Sequence, residues 1–202
     1  MAGLEYAEII GTLAFALSGF YVAIKDRLDL LGIFIASFLT ALGGGIVRDT
    51  IAGRAPYTFT HIIPSLLVIA VLVFSIALRL HHKNEIEKKF YFIISDTLGL
   101  VSFSISGALV GLQSDFNFFG VILLALLTAV GGGVMRDILL NRVPILLTSE
   151  FYGTVSLLVG TILFVLHQWD MVGLLPLSLV FIGGVIIRLV AYYKQWQLPK
   201  IG

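Results

Sequence analysis

Two short runs of matching composition hold the residues best placed to do chemistry. Residues 42–49 read LGGGIVRD and residues 130–137 read VGGGVMRD, 88 positions apart. Each joins a glycine triplet, Gly43, Gly44, Gly45 or Gly131, Gly132, Gly133, to an arginine–aspartate pair, Arg48, Asp49 or Arg136, Asp137. Three glycines weaken a helix by roughly 1 kcal/mol each relative to alanine and bare its backbone carbonyls. Charges embedded in apolar sequence face protein or water and pair where they can. This combination suits the holding or passage of an ion or small polar solute. It does not suit covalent catalysis. The chain shows no nucleotide-binding loop, no zinc motif and no Ser/His/Asp constellation. It has no cysteine, which removes thiolate ligands and cysteine nucleophiles. The four histidines, His61, His81, His82 and His167, lack ligand spacing. No enzyme, cofactor or metal is expected beyond a permeant K+ or Na+.

The 88-residue shift extends far past the two runs. Gly11 falls on Gly99, Phe15 on Phe103, Ser18 on Ser106, Gly19 on Gly107 and Gly32 on Gly120. Thr40 falls on Thr128, Ala41 on Ala129, Arg54 on Arg142 and Pro56 on Pro144. Glu8 falls on Asp96, an acid three residues before the matched glycine in both copies. A gapless register of this length marks an internal repeat. Ser18, Ser106, Thr40 and Thr128 are candidate hydroxyl ligands of a path, although buried Ser and Thr commonly bond back to their own helix. Gly107 and Gly111 form a GxxxG, matched by Gly19 and Ala23, a pattern that draws helices into close contact.

The elements that must position these residues are apolar. Hydrophobic residues make up 58% of the 202 and charged residues 12%, about half of what a soluble domain carries. Such a chain cannot cover a globule with polar surface, so lipid is its expected solvent. Net charge is +1, which excludes a basic field aimed at nucleic acid. Seven apolar stretches stand out near 9–24, 30–51, 62–80, 90–112, 118–140, 151–166 and 174–192. Most approach the roughly 20 residues needed to cross a bilayer core of ~30 Å. They predict an all-α integral membrane protein of seven transmembrane helices forming a single domain over 1–202. Repeat 1 covers about 5–80 and repeat 2 about 90–168, joined by a polar cytoplasmic linker at 81–89. The seventh helix, about 174–192, lies outside the repeat and is assigned to packing or assembly. No Lys or Arg precedes the first apolar run, so that segment reads as retained, not as a cleaved leader.

Three spans per copy place the second copy upside down, a 3+3 inverted repeat plus one C-terminal helix. That is a transport architecture with its path at the repeat interface. The triplets lie about 20 Å into their helices from opposite faces. The second and fifth helices are therefore expected to kink there and face a central path. Of the 13 Lys and Arg residues, only Arg48 and Arg54 fall on the side of the N-terminus, and eleven, Lys200 among them, fall on the other. The positive side is cytoplasmic, with the N-terminus outside and the C-terminus at Gly202 inside. Adjacent helical side chains do not face each other. Arg48 is thus expected to avoid Asp49 and to pair with Asp137, with Arg136 near Asp49, or else with Glu8 and Asp96. Trp169, Tyr192 and Trp196 read as interfacial anchors.

With the paired GGG-x-x-R-D motifs, the span plan, the repeat and the length together, the chain resembles prokaryotic members of the trimeric intracellular cation (TRIC) channels. Related bacterial sequences resemble glycine transporters. The resemblance implies a homotrimer in the prokaryotic plasma membrane, each protomer with its own potassium-permeable pore lined by the glycine-bearing second and fifth helices. A secondary transporter of a small neutral solute such as glycine is the alternative. Membrane lipid and further copies of the chain are the expected partners.

Overall fold

In a computed structural model, residues 2–148 and 151–196 are described; Lys200 and the terminal Gly202, both used in the orientation argument, lie outside them. Among the described residues the chain is helical, with no strand. The elements are α1 (Ala2–Lys25), α2 (Leu30–Ile51), α3 (Tyr57–Thr60), α4 (Ile63–Ala77), a 3-10 turn (Leu80–His82), α5 (Glu85–Gln113), α6 (Phe118–Leu139), α7 (Ile145–Thr148), α8 (Tyr152–Gln168) and α9 (Leu174–Tyr193). Five of these, α1, α2, α5, α6 and α9, are long and apolar enough to cross a membrane. The other two apolar helices, α4 and α8, are shorter, at 15 and 17 residues. Apolar side chains along α4 (Leu66, Val73, Phe74) and α9 (Leu179, Ile182, Ile186) are exposed on the surface of the chain. That is what lipid-facing helix surfaces of an integral membrane protein require.

Local chemistry sets the boundaries. Asp29 and Asn117, 88 residues apart, cap α2 and α6, each side chain accepting from the backbone N–H three residues on, Gly32 at 2.7 Å and Gly120 at 2.9 Å. A third cap, Asn84, accepts from Glu87 N at 2.8 Å and starts α5 inside the charged 81–89 segment, so half of the expected linker is helix. The third apolar stretch ends earlier than its apolarity suggests, because the chain turns at Leu78 and Arg79 takes φ +52°. Cap loss costs ~0.5–2 kcal/mol. Asn117→Ala and Asp29→Ala are each expected to lower thermal stability in detergent by about that much. Unchanged unfolding temperatures in both variants would refute the caps.

The core is built around α5, buried along nearly its whole apolar length. It packs on α1, α6, α8 and α9, while α2 packs on α1 and α6. Phe15 of α1 stacks on Phe103 of α5, ring centroids 5.4 Å apart. These two phenylalanines are partners in the 88-residue register and meet face to face. The GxxxG glycines act within the chain. A methyl group on Gly107 would lie 2.6 Å from Leu124 O, and one on Gly111 would lie 3.1 Å from the Val121 Cα, both in α6. Gly19 does the same for α1 on α2, where a methyl would sit 2.6 Å from the Ser37 Cα.

Candidate functional site

The glycine triplets are the crossing point of α2 and α6. Helical hydrogen bonding runs through both without interruption, so neither helix is broken there. What the glycines supply is approach. A methyl on Gly44 would overlap the Thr128 carbonyl, and one on Gly132 would overlap the Thr40 carbonyl. A methyl on Gly43 would lie 3.2 Å from the Gly132 Cα, and one on Gly131 3.3 Å from the Gly44 Cα. The third glycine of each triplet differs. At Gly45 and Gly133 a methyl would meet only the Nη2 of Arg48 at 3.9 Å or of Arg136 at 3.8 Å. Two glycines of each triplet therefore join the helices, and the third opens toward its arginine.

Arg48 is buried and fully engaged. Its Nε donates to Asp49 Oδ1 at 2.8 Å and its Nη1 to Glu8 Oε1 at 2.6 Å. Nη1 also bonds the Ser106 hydroxyl, which in turn lies 3.4 Å from Glu8 Oε1. The expectation that Arg48 avoids its neighbour is corrected here. The guanidinium lies several bonds from its Cα and curls back along the last turn of α2, where its planar fork grips Asp49. The same holds in the second half, where Arg136 Nε donates to Asp137 Oδ1 at 2.8 Å. The cross-repeat exchange of Arg48 with Asp137 and Arg136 with Asp49 gives way to these bonds, and the pairing of Arg48 with Glu8 forms instead. Asp49 does more. Its Oδ1 also takes Arg54 at 2.7 Å, and its Oδ2 accepts Tyr57 N at 2.9 Å, which fixes the start of α3. Asp137 Oδ2 accepts Ile145 N at 3.0 Å and fixes α7.

A cavity of about 290 Å3 opens beside this cluster, lined by Glu5, Glu8, Thr12, Gly45, Arg48, Asp49 and Tyr57 among others. The four hydroxyl candidates divide. Thr40 and Thr128 bond back to Ala36 O and Leu124 O, each at 2.6 Å, and Arg136 Nη1 lies 3.4 Å from the Thr40 hydroxyl. Ser106 serves Arg48, and Ser18 donates to Asp96 Oδ1 at 3.3 Å. Asp96 is 5% exposed and within electrostatic range of Arg136 and of Arg188.

Arg188 and Tyr152 were not among the residues singled out from the sequence. Arg188 is buried in α9 with its guanidinium 4.8 Å from the centre of the Tyr152 ring. The available signal was a lone arginine inside an apolar span, which by itself marks a functional position. Arg142, the counterpart of Arg54, bridges to Asp26 and not to the aspartate of its own half. It lines a second cavity of about 470 Å3 with Lys25, Lys88, Lys89 and Tyr21.

Comparison with known proteins follows the same repeat. The family model described as Glycine transporter matches residues 5–82 and 93–168, a copy in each half. The UPF0126 membrane protein YvgT of Bacillus subtilis (strain 168) is 33% identical over 200 residues, covering 97% of this chain and 95% of that protein. A solved TRIC cation channel superposes with a TM-score of 0.84 at 32% identity, covering 98% and 97% of the two chains. The TRIC trimeric intracellular cation channel orthologue from Rhodobacter sphaeroides superposes at 0.88 with 25% identity, covering 97% and 100%.

Proposed function

The chain belongs to the TRIC channel family, and from that premise we propose that it conducts monovalent cations, potassium among them, along a path lined by α2 and α6. The observation that carries this reading is the cavity beside Gly45, which α2 lines with α1, α3, α4 and Phe103 of α5; α6 enters the proposal as the repeat counterpart of α2. Its lining sets three carboxylates, Glu5, Glu8 and Asp49, against one guanidinium, that of Arg48. Arg48 would repel cations if it stood alone. It is bound to both Glu8 and Asp49, and Asp49 also binds Arg54, so three carboxylates face two guanidiniums and one negative charge is left at the mouth to concentrate counter-ions. Gly45, with no side chain, borders the same space.

The wider arrangement belongs to the same proposal. The seven apolar helices α1, α2, α4, α5, α6, α8 and α9 are read as seven spans, repeats 5–80 and 90–168 as inverted copies, and α9 as the added helix. The short α4 and α8 are accommodated by local thinning of the bilayer. Three such chains assemble, as the name of the Rhodobacter relative says of that protein. The N-terminus faces outward across a prokaryotic plasma membrane. Lys25, Lys88, Lys89 and Arg142 gather at a single cavity, which supports one strongly basic face.

Recording from purified protein in a planar bilayer under asymmetric KCl tests the reading. Discrete openings reversing near the potassium equilibrium potential are expected. Silence at all voltages, together with saturable glycine uptake by liposomes of the same preparation, would reject the channel. It would favour the secondary transporter that the name of the family model suggests.

A further inference from the structure

The two halves share one frame. Caps, threonine bonds and the aspartate bonds that start α3 and α7 recur at an 88-residue shift with nearly equal distances. They part at the place where each half meets its buried acid. Glu8 is 21% exposed by side chain and borders the 290 Å3 cavity, whose wall includes Ile63 and Pro64. In the register of the repeat, the counterparts of Ile63 and Pro64 are Phe151 and Tyr152. Tyr152 is buried within electrostatic range of Asp96, and the guanidinium of Arg188 lies over its ring. Arg188 comes from α9, the helix with no counterpart in the first half.

We propose that Tyr152 and Arg188 together form the gate that closes the Asp96 end of the path. The inference rests on the reading that a path runs past α2 and α6. Tyr152 stands in the repeat where Pro64 lines the open cavity of the first half, and Arg188 lies over its ring. Both are suited to withdraw. Tyr152 is the first residue of α8, directly after Phe151, whose φ of +61° marks a turn and not a continuing helix. Arg188 sits on a long side chain stacked between Tyr152 and, at 5.9 Å, Tyr192. Withdrawal exposes Asp96 beside Arg136 and Asp137, and so reproduces at this end the acid–arginine–aspartate arrangement that Glu8, Arg48 and Asp49 present at the other. The second half thus carries the same site as the first, held shut by two residues that the first half lacks.

The chain has no cysteine, so single cysteines report on each end separately. Gly45→Cys and Gly133→Cys are matched probes, because neither position crowds an added Cβ. Purified protein in detergent micelles, with both ends in contact with water, is treated with a water-soluble methanethiosulfonate reagent. Gly45→Cys is expected to react several-fold faster than Gly133→Cys. Adding Tyr152→Ala, or Arg188→Gln if the first variant loses its monodisperse elution, is expected to raise the Gly133→Cys rate to that of Gly45→Cys and leave the latter unchanged. Equal rates before either substitution would overturn the proposal. So would a parallel rise at both cysteines, which marks general loosening of the bundle. The readout does not depend on conduction. The expected accessibility pattern in a preparation silent in bilayers would uphold the gate while rejecting the channel reading.

Discussion

Gly44→Ala and Gly132→Ala are each expected to destabilise the protein clearly, while Gly45→Ala and Gly133→Ala, in the same triplets, leave it as stable or make it more so. Helix propensity alone predicts the opposite for the first pair, since alanine gains roughly 1 kcal/mol over glycine in a helix interior. Packing reverses the sign. The methyl added at Gly44 would overlap the Thr128 carbonyl, and that at Gly132 the carbonyls of Thr40 and Leu39. These are backbone atoms of the opposing helix, so no side chain can rotate away. Relief requires α2 and α6 to separate, and overpacking of this kind costs ~1–3 kcal/mol, sometimes more. At Gly45 and Gly133 the nearest atom is an arginine Nη2 at 3.9 or 3.8 Å, so the propensity gain survives. Thermal unfolding of the four variants in one detergent separates the two pairs. Equal stability of Gly44→Ala and Gly45→Ala would show that the helices do not cross at the triplets.

Much of this was legible because the repeat is gapless. An 88-residue shift pairs Phe15 with Phe103, which do meet, and aligns the two triplets, in which Gly43 approaches Gly132 and Gly131 approaches Gly44. The bounds 30–51 follow α2 because Asp29 directly precedes the apolar run and caps its first turn. The triplets were legible as special but not as to their task, since a glycine permits both a bend and an approach. Composition cannot show the approach, whereas a carbonyl from another helix at the missing Cβ does. The short helices α3 and α7 left no periodic trace. Four residues hold no period, and what starts them is an aspartate eight residues earlier in the chain. The Arg48–Asp49 bond was missed for a related reason. The rule that adjacent helical residues diverge describes Cβ directions, and a guanidinium is long enough to escape it. Arg188 was read from the sequence only as one of the eleven basic residues on the cytoplasmic side. No internal partner position existed to call attention to it.

Asp137→Ala is expected to be the most damaging single change of a side chain in the chain's charged clusters. Asp137 and Arg136 are both almost wholly buried, and the ion pair they form spans 2.7 Å. Removing one member of a buried pair leaves an uncompensated charge and costs ~3–5 kcal/mol. Loss of the bond from Ile145 N to Asp137 Oδ2 adds about 1 kcal/mol. Asp96, the other carboxylate acting on Arg136, already accepts from Ser18 and is poorly placed to replace it. Glu8→Gln is expected to cost much less, because Glu8 is partly exposed and Arg48 keeps its bonds to Asp49. The decisive comparison is Asp137→Ala with Arg136→Met added. If the damage comes from a stranded charge, the double variant is more stable than Asp137→Ala alone, since the methionine leaves no unpaired guanidinium. If the double variant is the less stable of the two, the pair acts mainly as packing and capping. The arginines would then lose their claim to set the electrostatics of the path, and the acidic residues beside Gly45 would have to attract cations against an arginine that Asp49 does not neutralise.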